Sequence, residues 1–213
     1  EAMHAPIRYN CNEDLFKEDS EESFYWAGFI FADGCISDTA VNHSRRLCIG
    51  LSSKDKNHLL KFKTDIKADQ PILEKTTIDD RLINGKSYGS KIQIASNIIC
   101  EDLERFNIEP RKSLTAIFPK ELDNHNLLHH FMRGLFDGDG CVHFTKHKVK
   151  NPESFKYALS FKLCATLNVA LEYRRMLNVH AGIEKENIGI TRHGKIFALQ
   201  FHKQLYFFLP KQY

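Results

Sequence analysis

Residues 24–35 read FYWAGFIFADGC, and residues 130–141 read HFMRGLFDGDGC. Aligned without gaps, the two stretches share Gly28 with Gly134 and the triplet Asp-Gly-Cys at their ends. The aspartates of these triplets, Asp33 and Asp139, lie 106 residues apart, which is half of the 213-residue chain. A repeat at this spacing predicts two similar subdomains joined in tandem.

The same order of elements follows each copy of the repeat. Each copy reads as a helix, and after it come two strands, a helix, two more strands and a short closing helix. The predicted strands are residues 35–41, 46–52, 72–79 and 88–95, then 141–148, 157–164, 183–191 and 195–202. The predicted helices after the repeats are residues 54–67, 98–106, 167–178 and 204–209. The sequence therefore predicts an α+β fold with two pseudo-symmetric αββαββα subdomains.

This order predicts the boundaries of four segments. They are an acidic N-terminal extension (residues 1–22), a first subdomain (23–108), a linker (109–126) and a second subdomain (127–213). The first 23 residues hold seven acidic and two basic residues, whereas the remaining chain holds 28 basic and 20 acidic residues. This excess of positive charge is compatible with a surface that binds phosphates, but many proteins without that function share it.

Composition excludes several other classes of protein. A hydrophobic content of 42% is enough for a packed core. No apolar run approaches the roughly 20 residues that cross a membrane, and no secretory signal is visible at the start. The six cysteines form no CxxC pair, so we expect reduced thiols rather than disulfides or a zinc site. These features are typical of an intracellular protein, whose compartment the sequence leaves open.

The repeat predicts that the two motif helices pack closely. Gly28 and Ala32 are four residues apart, as are Gly134 and Gly138. Residues at this spacing share one helix face, and small side chains there let two backbones approach. A glycine directly after each aspartate is a helix stop. We therefore expect the two aspartates to lie side by side at the same end of the helix pair.

Two carboxylates forced together repel unless a cation lies between them. The partial negative charge at helix C-termini favours a cation further. Oxygen ligands suit Mg²⁺, and a carboxylate–Mg²⁺ site can activate water for phosphodiester cleavage. A single copy of the motif would most simply be a packed helix with a capped end. Two copies, Asp33 and Asp139, each opening the same order of elements, favour a functional carboxylate pair.

The stretches WAGFIFADG (residues 26–34) and MRGLFDGDG (residues 132–140) resemble the motif of the LAGLIDADG homing endonucleases. The resemblance covers about residues 20 to 213. It implies a single-chain, intron-encoded enzyme whose two antiparallel sheets form a saddle in the DNA major groove. It also implies that the enzyme acts as a monomer, cutting both strands of a long, asymmetric site in double-stranded DNA.

The resemblance also implies roles for individual residues. Asp33 and Asp139 would bind divalent metal ions, and the backbone carbonyls of Ala32 and Gly138 would face the same ions. The expected ion is Mg²⁺ or Mn²⁺, with Ca²⁺ supporting binding without cleavage. A basic residue after the last helix of each half often assists catalysis in the family. Its counterparts are the linker residue Lys112 and, less closely, Lys211.

Two residues depart from the family pattern. Phe31 occupies a position where the family often has an acid, whereas the second copy keeps Asp137 there. Arg133 replaces a small residue and is expected to weaken the helix contact locally. Neither position is the catalytic one, so these departures do not indicate an inactive protein.

The DNA-binding face is expected to come from the strands, where basic residues recur. Because a strand alternates faces, only about half of them can point at DNA, and one of Arg45 and Arg46 should do so. The candidate DNA-binding residues are Arg45, Arg46, Lys75, Arg81, Lys91, Lys146, Lys148, Lys150, Lys156, Lys162, Lys185, Arg192 and Lys195.

Three other functions remain open. A DNA-binding regulator of the same fold would usually lose the metal-binding acids, and both are present here. An RNA-splicing maturase is also known in the family, and its RNA surface need not overlap the DNA face. A structural protein whose repeat is only a packing unit would not need paired aspartates at its helix ends. The target site and the host element cannot be read from the sequence.

Overall fold

The structure, a computed structural model, describes residues 9–38, 44–78, 85–148 and 154–208, without the side chains of residues 145–148, 154–158 and 202–208. The elements of the first half are α1 (Glu21–Asp33), β1 (Gly34–Asp38), β2 (Arg45–Ser52), α2 (Lys56–Asp65), β3 (Leu73–Ile78), β4 (Lys86–Ala95) and α3 (Asn97–Asp102). Those of the second half are α4 (Leu128–Asp139), β5 (Gly140–Lys148), β6 (Ser154–Ala165), α5 (Leu167–Ala181), β7 (Ile188–His193) and β8 (Ile196–Phe208).

The two halves have the same sheet topology. Each half forms a four-stranded antiparallel sheet, with strand order β1-β2-β4-β3 in the first and β5-β6-β8-β7 in the second. In each sheet the strand that follows the motif helix lies at one edge. The predicted α+β class and the tandem repeat are therefore confirmed.

The motif helices α1 and α4 pack in parallel, backbone against backbone. A Cβ added to Gly28 would lie 2.0 Å from the Phe131 carbonyl oxygen, and one on Gly134 would lie 2.0 Å from the Tyr25 carbonyl oxygen. A Cβ on Gly138 would lie 2.4 Å from the Cβ of Ala32. No side chain fits between the helices at these distances. The predicted contact along the small residues is thus confirmed over its whole length.

Burial alternates along the strands and separates a core face from an open face. On β2 and β4, Leu47, Ile49, Ile92 and Ile94 are at most 1% exposed. Their neighbours in the chain, such as Arg46, lie on the opposite, open side. In the second sheet Leu163 and Leu199 take the core positions, and the helices cover this side of both sheets.

One predicted element is wrong. Residues 204–209 were expected to form a closing helix, but β8 continues through Phe208. The backbone of this segment pairs with β6 as far as Ser154 opposite Phe208. Aromatic residues dominate its end, and they favour strands. The long strand β6 provides hydrogen-bonding partners along the whole segment, and these stabilise the extended conformation over a helix. In the described residues, only the first half ends in a helix.

The segments outside the two repeats also pack against the core. Phe16, which precedes α1, and Phe118, in the linker, are both fully buried. The Asn12 amide donates to the Ile66 carbonyl at the end of α2. Two short 3-10 turns, Lys112–Leu114 and Lys120–Leu122, shape the linker. Across the described ranges, no helix has the length and apolarity needed to cross a bilayer.

Candidate active site and nucleic-acid interface

Asp33 and Asp139 are the last residues of α1 and α4. Because the helices are parallel, both carboxylates lie at the same end of the pair, where β1 and β5 begin. The Asp33 Oδ2 atom is 3.6 Å from the position of a Cβ on Gly138, one residue from Asp139. Both aspartates remain exposed to solvent. The expected carboxylate pair is therefore present at the junction of the two sheets.

The surroundings of the pair disfavour two negative charges. Burial of its inner side, followed by repulsion from Asp33, raises the pKa of Asp139 to about 6. Burial also raises the pKa of Asp33, while Lys112 partly opposes this shift. The last carbonyls of both helices, including those of Ala32 and Gly138, have no partner further along the helix. Carboxylate oxygens and the last helix carbonyls thus lie at the same end of the helix pair, which favours a cation there.

Lys112 lies beside this pair and is not a solvated linker residue. Its side chain is 7% exposed, and its Nζ donates to the Gly34 carbonyl at 2.7 Å. Burial lowers the pKa of the Lys112 ammonium, while Asp139, Cys35 and Asp33 oppose that shift. The Nζ also lies 6.0 Å from the ring centre of Phe31. Phe31 is the residue that corresponds to Asp137 in the second copy of the repeat. The other basic candidate, Lys211, lies outside the described residues.

Two cavities flank the carboxylate pair, one for each half. The first has a volume of about 510 Å³ and is lined by Asp33, Asp55, Asn57, His58 and Asp137, among others. The second has a volume of about 250 Å³ and is lined by Asp139, Lys112, Phe31, Thr166 and Val169, among others. The cavities occupy equivalent places in the repeat, but the first contains several acid and base groups that the second lacks.

A hydrogen-bonded network beside the first cavity did not emerge from the sequence. The Tyr25 hydroxyl donates to Asp137 Oδ2 at 2.9 Å and lies 3.2 Å from His58 Nε2. The Arg133 guanidinium lies 4.6 Å from the centre of the Tyr25 ring, so Arg133 packs beside the helix contact instead of weakening it. The signal in the sequence was the change from Tyr25 to Phe131 between the two copies of the repeat.

The strand register brings three of the predicted DNA-binding residues to one face of the first sheet. Lys91 of β4 is opposite Gly50 of β2, and Lys75 of β3 is opposite Gly89. Directly opposed residues share a face, and so do every second residues along a strand. By this rule Arg46, Lys75 and Lys91 all lie on the open face.

Arg45 does not lie on that face. Its side chain is 18% exposed and forms ion pairs with Asp38, at 3.3 Å, and with Glu104, at 2.6 Å. The expectation that Arg45 contacts DNA therefore has no support in its position, because its guanidinium is already paired on the core side of the sheet. Of the two adjacent arginines, Arg46 is the one that points outward.

The candidates in the second half are more scattered. Lys162 of β6 lies on the open face, opposite Cys141 and Gln200. Lys185, before β7, and Lys195, in the turn after it, are exposed. Arg192 donates from Nε to the Gly194 carbonyl. The remaining candidates cannot be placed: Arg81 and Lys150 lie outside the described residues, as do the side chains of Lys146, Lys148 and Lys156.

Comparison with solved structures shows which known fold this arrangement resembles. The homing endonuclease I-WcaI bound to its DNA recognition sequence superposes with a TM-score of 0.55 at 14% identity, over 89% of this chain and 80% of that chain. A double lysine-to-alanine mutant of I-SmaMI gives 0.54 at 13% identity, over 87% and 80%. This is the LAGLIDADG homing endonuclease fold. The LAGLIDADG meganuclease I-AabMI bound to uncleaved DNA gives 0.50 at 15% identity, over 84% and 78%.

At such identities the likeness concerns the LAGLIDADG fold alone. No family model and no curated protein matches the chain. The function therefore has to be argued from the chemistry of the residues at the end of the α1–α4 helix pair.

Proposed function

We propose that the chain is a site-specific endonuclease that hydrolyses one phosphodiester bond in each strand of a long, asymmetric DNA site. One observation carries the proposal. Two aspartates, Asp33 and Asp139, end two helices packed backbone to backbone, where two sheets with basic open faces meet. A carboxylate pair in such a place serves no packing purpose, since its own repulsion works against it.

The residues at this place fit a divalent cation. Asp33 and Asp139 supply carboxylate oxygens, and the carbonyls of Ala32 and Gly138 could add two more ligands. Such oxygens suit Mg²⁺ or Mn²⁺, and Ca²⁺ would fill the same place. In the described part of the chain, no three His, Cys, Asp or Glu side chains group to hold a metal ion by themselves. The remaining ligands would therefore be oxygens of DNA and water.

When bound, a divalent ion would lower the pKa of a bound water and neutralise charge on the phosphate. The chain's own residues would do the rest. Lys112 donates one hydrogen to the Gly34 carbonyl, which fixes its ammonium and leaves two hydrogens for a phosphate oxygen. An ammonium held in this way can stabilise the charge that develops during cleavage without reorganising.

The open sheet faces would bind the DNA around this centre. Arg46, Lys75 and Lys91 present long basic side chains from adjacent strands, and such a ribbon can reach base edges in the major groove. Lys162 provides a similar contact in the second half. Because one chain contains both halves, we propose that it binds as a monomer.

The test begins with finding the DNA. The double variant Asp33→Asn, Asp139→Asn is used to select bound sequences from a randomised library in Ca²⁺, since binding rests on contacts spread over the strands. The wild-type chain is then incubated with the selected DNA in Mg²⁺ and in Ca²⁺. We expect cleavage of both strands in Mg²⁺ only, and none by either single Asp→Asn variant. Binding without cleavage by the wild-type chain would instead identify a non-cleaving DNA-binding protein.

A further inference from the structure

The network around Tyr25 connects three helices of both halves. Tyr25 on α1 is 5% exposed, and its hydroxyl reaches His58 on α2 and Asp137 on α4. The His58 ring packs against Trp26 at 4.9 Å and Phe29 at 4.5 Å between ring centres. His58 also lines the cavity that contains Asp33. His58 therefore contacts three side chains of α1 while it borders the candidate active site.

The other half of the molecule provides an internal comparison. By the repeat spacing, Tyr25 corresponds to Phe131 and Asp137 corresponds to Phe31. By the strand register, in which Ile49 is opposite Gly34 as Leu163 is opposite Gly140, His58 corresponds to Glu172, whose carboxylate pairs with Arg175 at 2.7 Å. The counterparts of Tyr25 and Asp137 are apolar, and Glu172 is not among the described residues that line the second cavity. Phe31 and Phe131 are in edge-to-face ring contact at 5.7 Å. The fold can thus fill the places of Tyr25 and Asp137 with apolar side chains, and the hydrogen bonds of the Tyr25 hydroxyl are not required for packing.

The network fixes which nitrogen of His58 carries the proton. The Tyr25 hydroxyl donates its only hydrogen to Asp137, so its oxygen must accept from His58 Nε2. Nδ1 is then the acceptor of the neutral ring. Burial lowers the pKa of His58 and Lys61 adds to this, while Asp137, Asp55 and Asp65 oppose it. The ring is accordingly poised as a neutral group with one free lone pair.

We propose that Tyr25 and Asp137 orient His58 as the proton acceptor for cleavage of the DNA strand bound at the Asp33 cavity, and that the other strand is cut without such a group. The inference rests on the proposed endonuclease function. In the reaction a water oxygen bonds to phosphorus, and the water proton passes to His58 Nδ1. The bond from phosphorus to the leaving deoxyribose oxygen breaks, and that oxygen takes a proton from solvent.

The two strands therefore depend on different residues. At the Asp33 cavity the acceptor is His58, and Tyr25 and Asp137 are positioning residues. At the Asp139 cavity the counterparts of Tyr25 and Asp137 are apolar, no histidine is among the described lining residues, and Lys112 is the basic side chain. Removing either set should slow one strand far more than the other, and the two sets should affect opposite strands.

The experiment measures cleavage of the selected DNA with a different label on each strand, under single-turnover conditions in Mg²⁺. The variants are Tyr25→Phe, His58→Ala and Lys112→Met. Tyr173→Phe is the matched control, because it also removes a buried hydroxyl that makes one hydrogen bond, to the Met132 carbonyl. Since a positioned general base contributes about 10²–10⁴-fold, His58→Ala should slow one strand by about 10²-fold or more.

The expected pattern is specific to a catalytic role. Tyr25→Phe and His58→Ala slow the same strand, Lys112→Met slows the other, and Tyr173→Phe alters neither. Imidazole added to the buffer restores part of the lost rate in His58→Ala, whose ring-sized gap opens on the cavity. DNA affinity in Ca²⁺ and the melting temperature serve to separate misfolding from loss of catalysis.

Equal slowing of both strands, or no rescue by imidazole in a folded His58→Ala, overturns the inference and leaves the endonuclease function intact. A wild-type chain that binds its selected DNA and cuts neither strand overturns the function, and the inference fails with it. Nitrogen chemical shifts of His58 give a readout without cleavage. They should report a proton on Nε2 in the wild type and a mixture of tautomers in Tyr25→Phe.

Discussion

If the carboxylates of Asp33 and Asp139 bind a divalent cation as proposed, protons compete with it for them. With a pKa raised to about 6, Asp139 is half protonated in weakly acidic solution when no cation is bound. A cation that binds the ionised pair must displace that proton. The affinity of the pair for a cation therefore decreases as the pH is lowered. The same features that make the pair costly to the folded chain make it receptive to a divalent ion.

This cost gives a prediction for the metal-free protein. Between pH 3.8, the ordinary pKa of an aspartate, and about pH 6, the folded chain keeps a proton on Asp139 that the unfolded chain has released. Stability therefore rises as pH falls through this window, and the full penalty is present above it. We expect Asp139→Asn to melt at a higher temperature than the wild type at pH 7. The difference should shrink as the pH falls below about 6 and vanish near pH 4.

Thermal unfolding followed in a buffer with a chelator measures this difference. Asp14→Asn is the control, because it neutralises an exposed aspartate whose Lys17 partner lies 3.9 Å away on the surface. Added Mg²⁺ should stabilise the wild type and not Asp139→Asn. A wild type more stable than Asp139→Asn at pH 7 without metal would contradict the prediction.

A second prediction at this scale concerns Lys112. Lys112→Met keeps an unbranched apolar side chain at this buried position and removes the ammonium that faces Asp139 and the Gly34 carbonyl. Loss of one preorganised donor to a developing charge typically costs about 10²–10³-fold in rate. We expect a loss of this order in the cleavage rate of the dependent strand, with DNA affinity in Ca²⁺ nearly unchanged. Lys120→Met, in the other 3-10 turn of the linker, should leave the rate as it is.

Arg45 and Arg46 allow a matched comparison of neighbours. Arg46→Ala should weaken DNA binding. If Arg46 contacts a phosphate, the slope of the binding constant against salt concentration decreases by about one in its logarithmic plot. If Arg46 contacts a base, the sequence preference changes at one position of the target. Arg45→Ala should lower the melting temperature, since it breaks the ion pair with Glu104, and leave the specificity profile unchanged. Both are measured by binding to single-base variants of the target at several salt concentrations. The reverse pattern would mean that the open face does not contact DNA.

At the scale of elements, the helix pair α1–α4 depends on its glycines. A methyl group on Gly28 would lie 2.0 Å from a backbone oxygen that no side-chain rotation can move. Gly28→Ala and Gly134→Ala must therefore force the helices apart, at a cost of about 3 kcal/mol or more in unfolding free energy. The higher helix propensity of alanine than of glycine offsets only about 1 kcal/mol of this loss in unfolding free energy. Denaturant unfolding measures the net loss.

The control for this prediction is Gly189→Ala, in β7. Its added Cβ would lie 3.8 Å from the nearest atom, which is an ordinary contact. Its unfolding free energy should change by less than about 1 kcal/mol. If Gly28→Ala were as stable as the Gly189 variant, the close approach of the two helices would be refuted.

The order of elements was accessible from the sequence because it depends on local patterns. Glycine spacing predicted the helix contact, and alternation predicted all eight strands. The prediction of a closing helix at residues 204–209 was wrong because this segment pairs with β6, which is distant in the chain. The burial of Lys112 and the network around Tyr25 also depend on contacts between distant segments. Sequence spacing indicates which residues pair in a repeat, but not which of them share a cavity.

At the scale of the whole molecule, the first hairpins of the two halves differ in length. The hairpin of β1 and β2 spans residues 34–52, and that of β5 and β6 spans residues 140–165. The second hairpin is longer by seven residues. Shared between its two strands, these residues extend the hairpin by about 12 Å at roughly 3.3 Å per residue. This corresponds to three or four base pairs at about 3.4 Å per step. The half-site under the second sheet should extend further from the centre.

We therefore expect one chain to bind one asymmetric site. Light scattering should give the mass of a monomer for the free protein and of one chain per duplex for the complex, whereas a one-motif protein would need a symmetric dimer and a palindromic site. Footprinting on the selected DNA should show protection extending about three base pairs further on one side of the cleavage positions. Shortening the longer hairpin by deleting residues 148–153 should remove that extra protection and leave the other side unchanged. A palindromic preference, or a stable dimer without DNA, would contradict the single-chain arrangement.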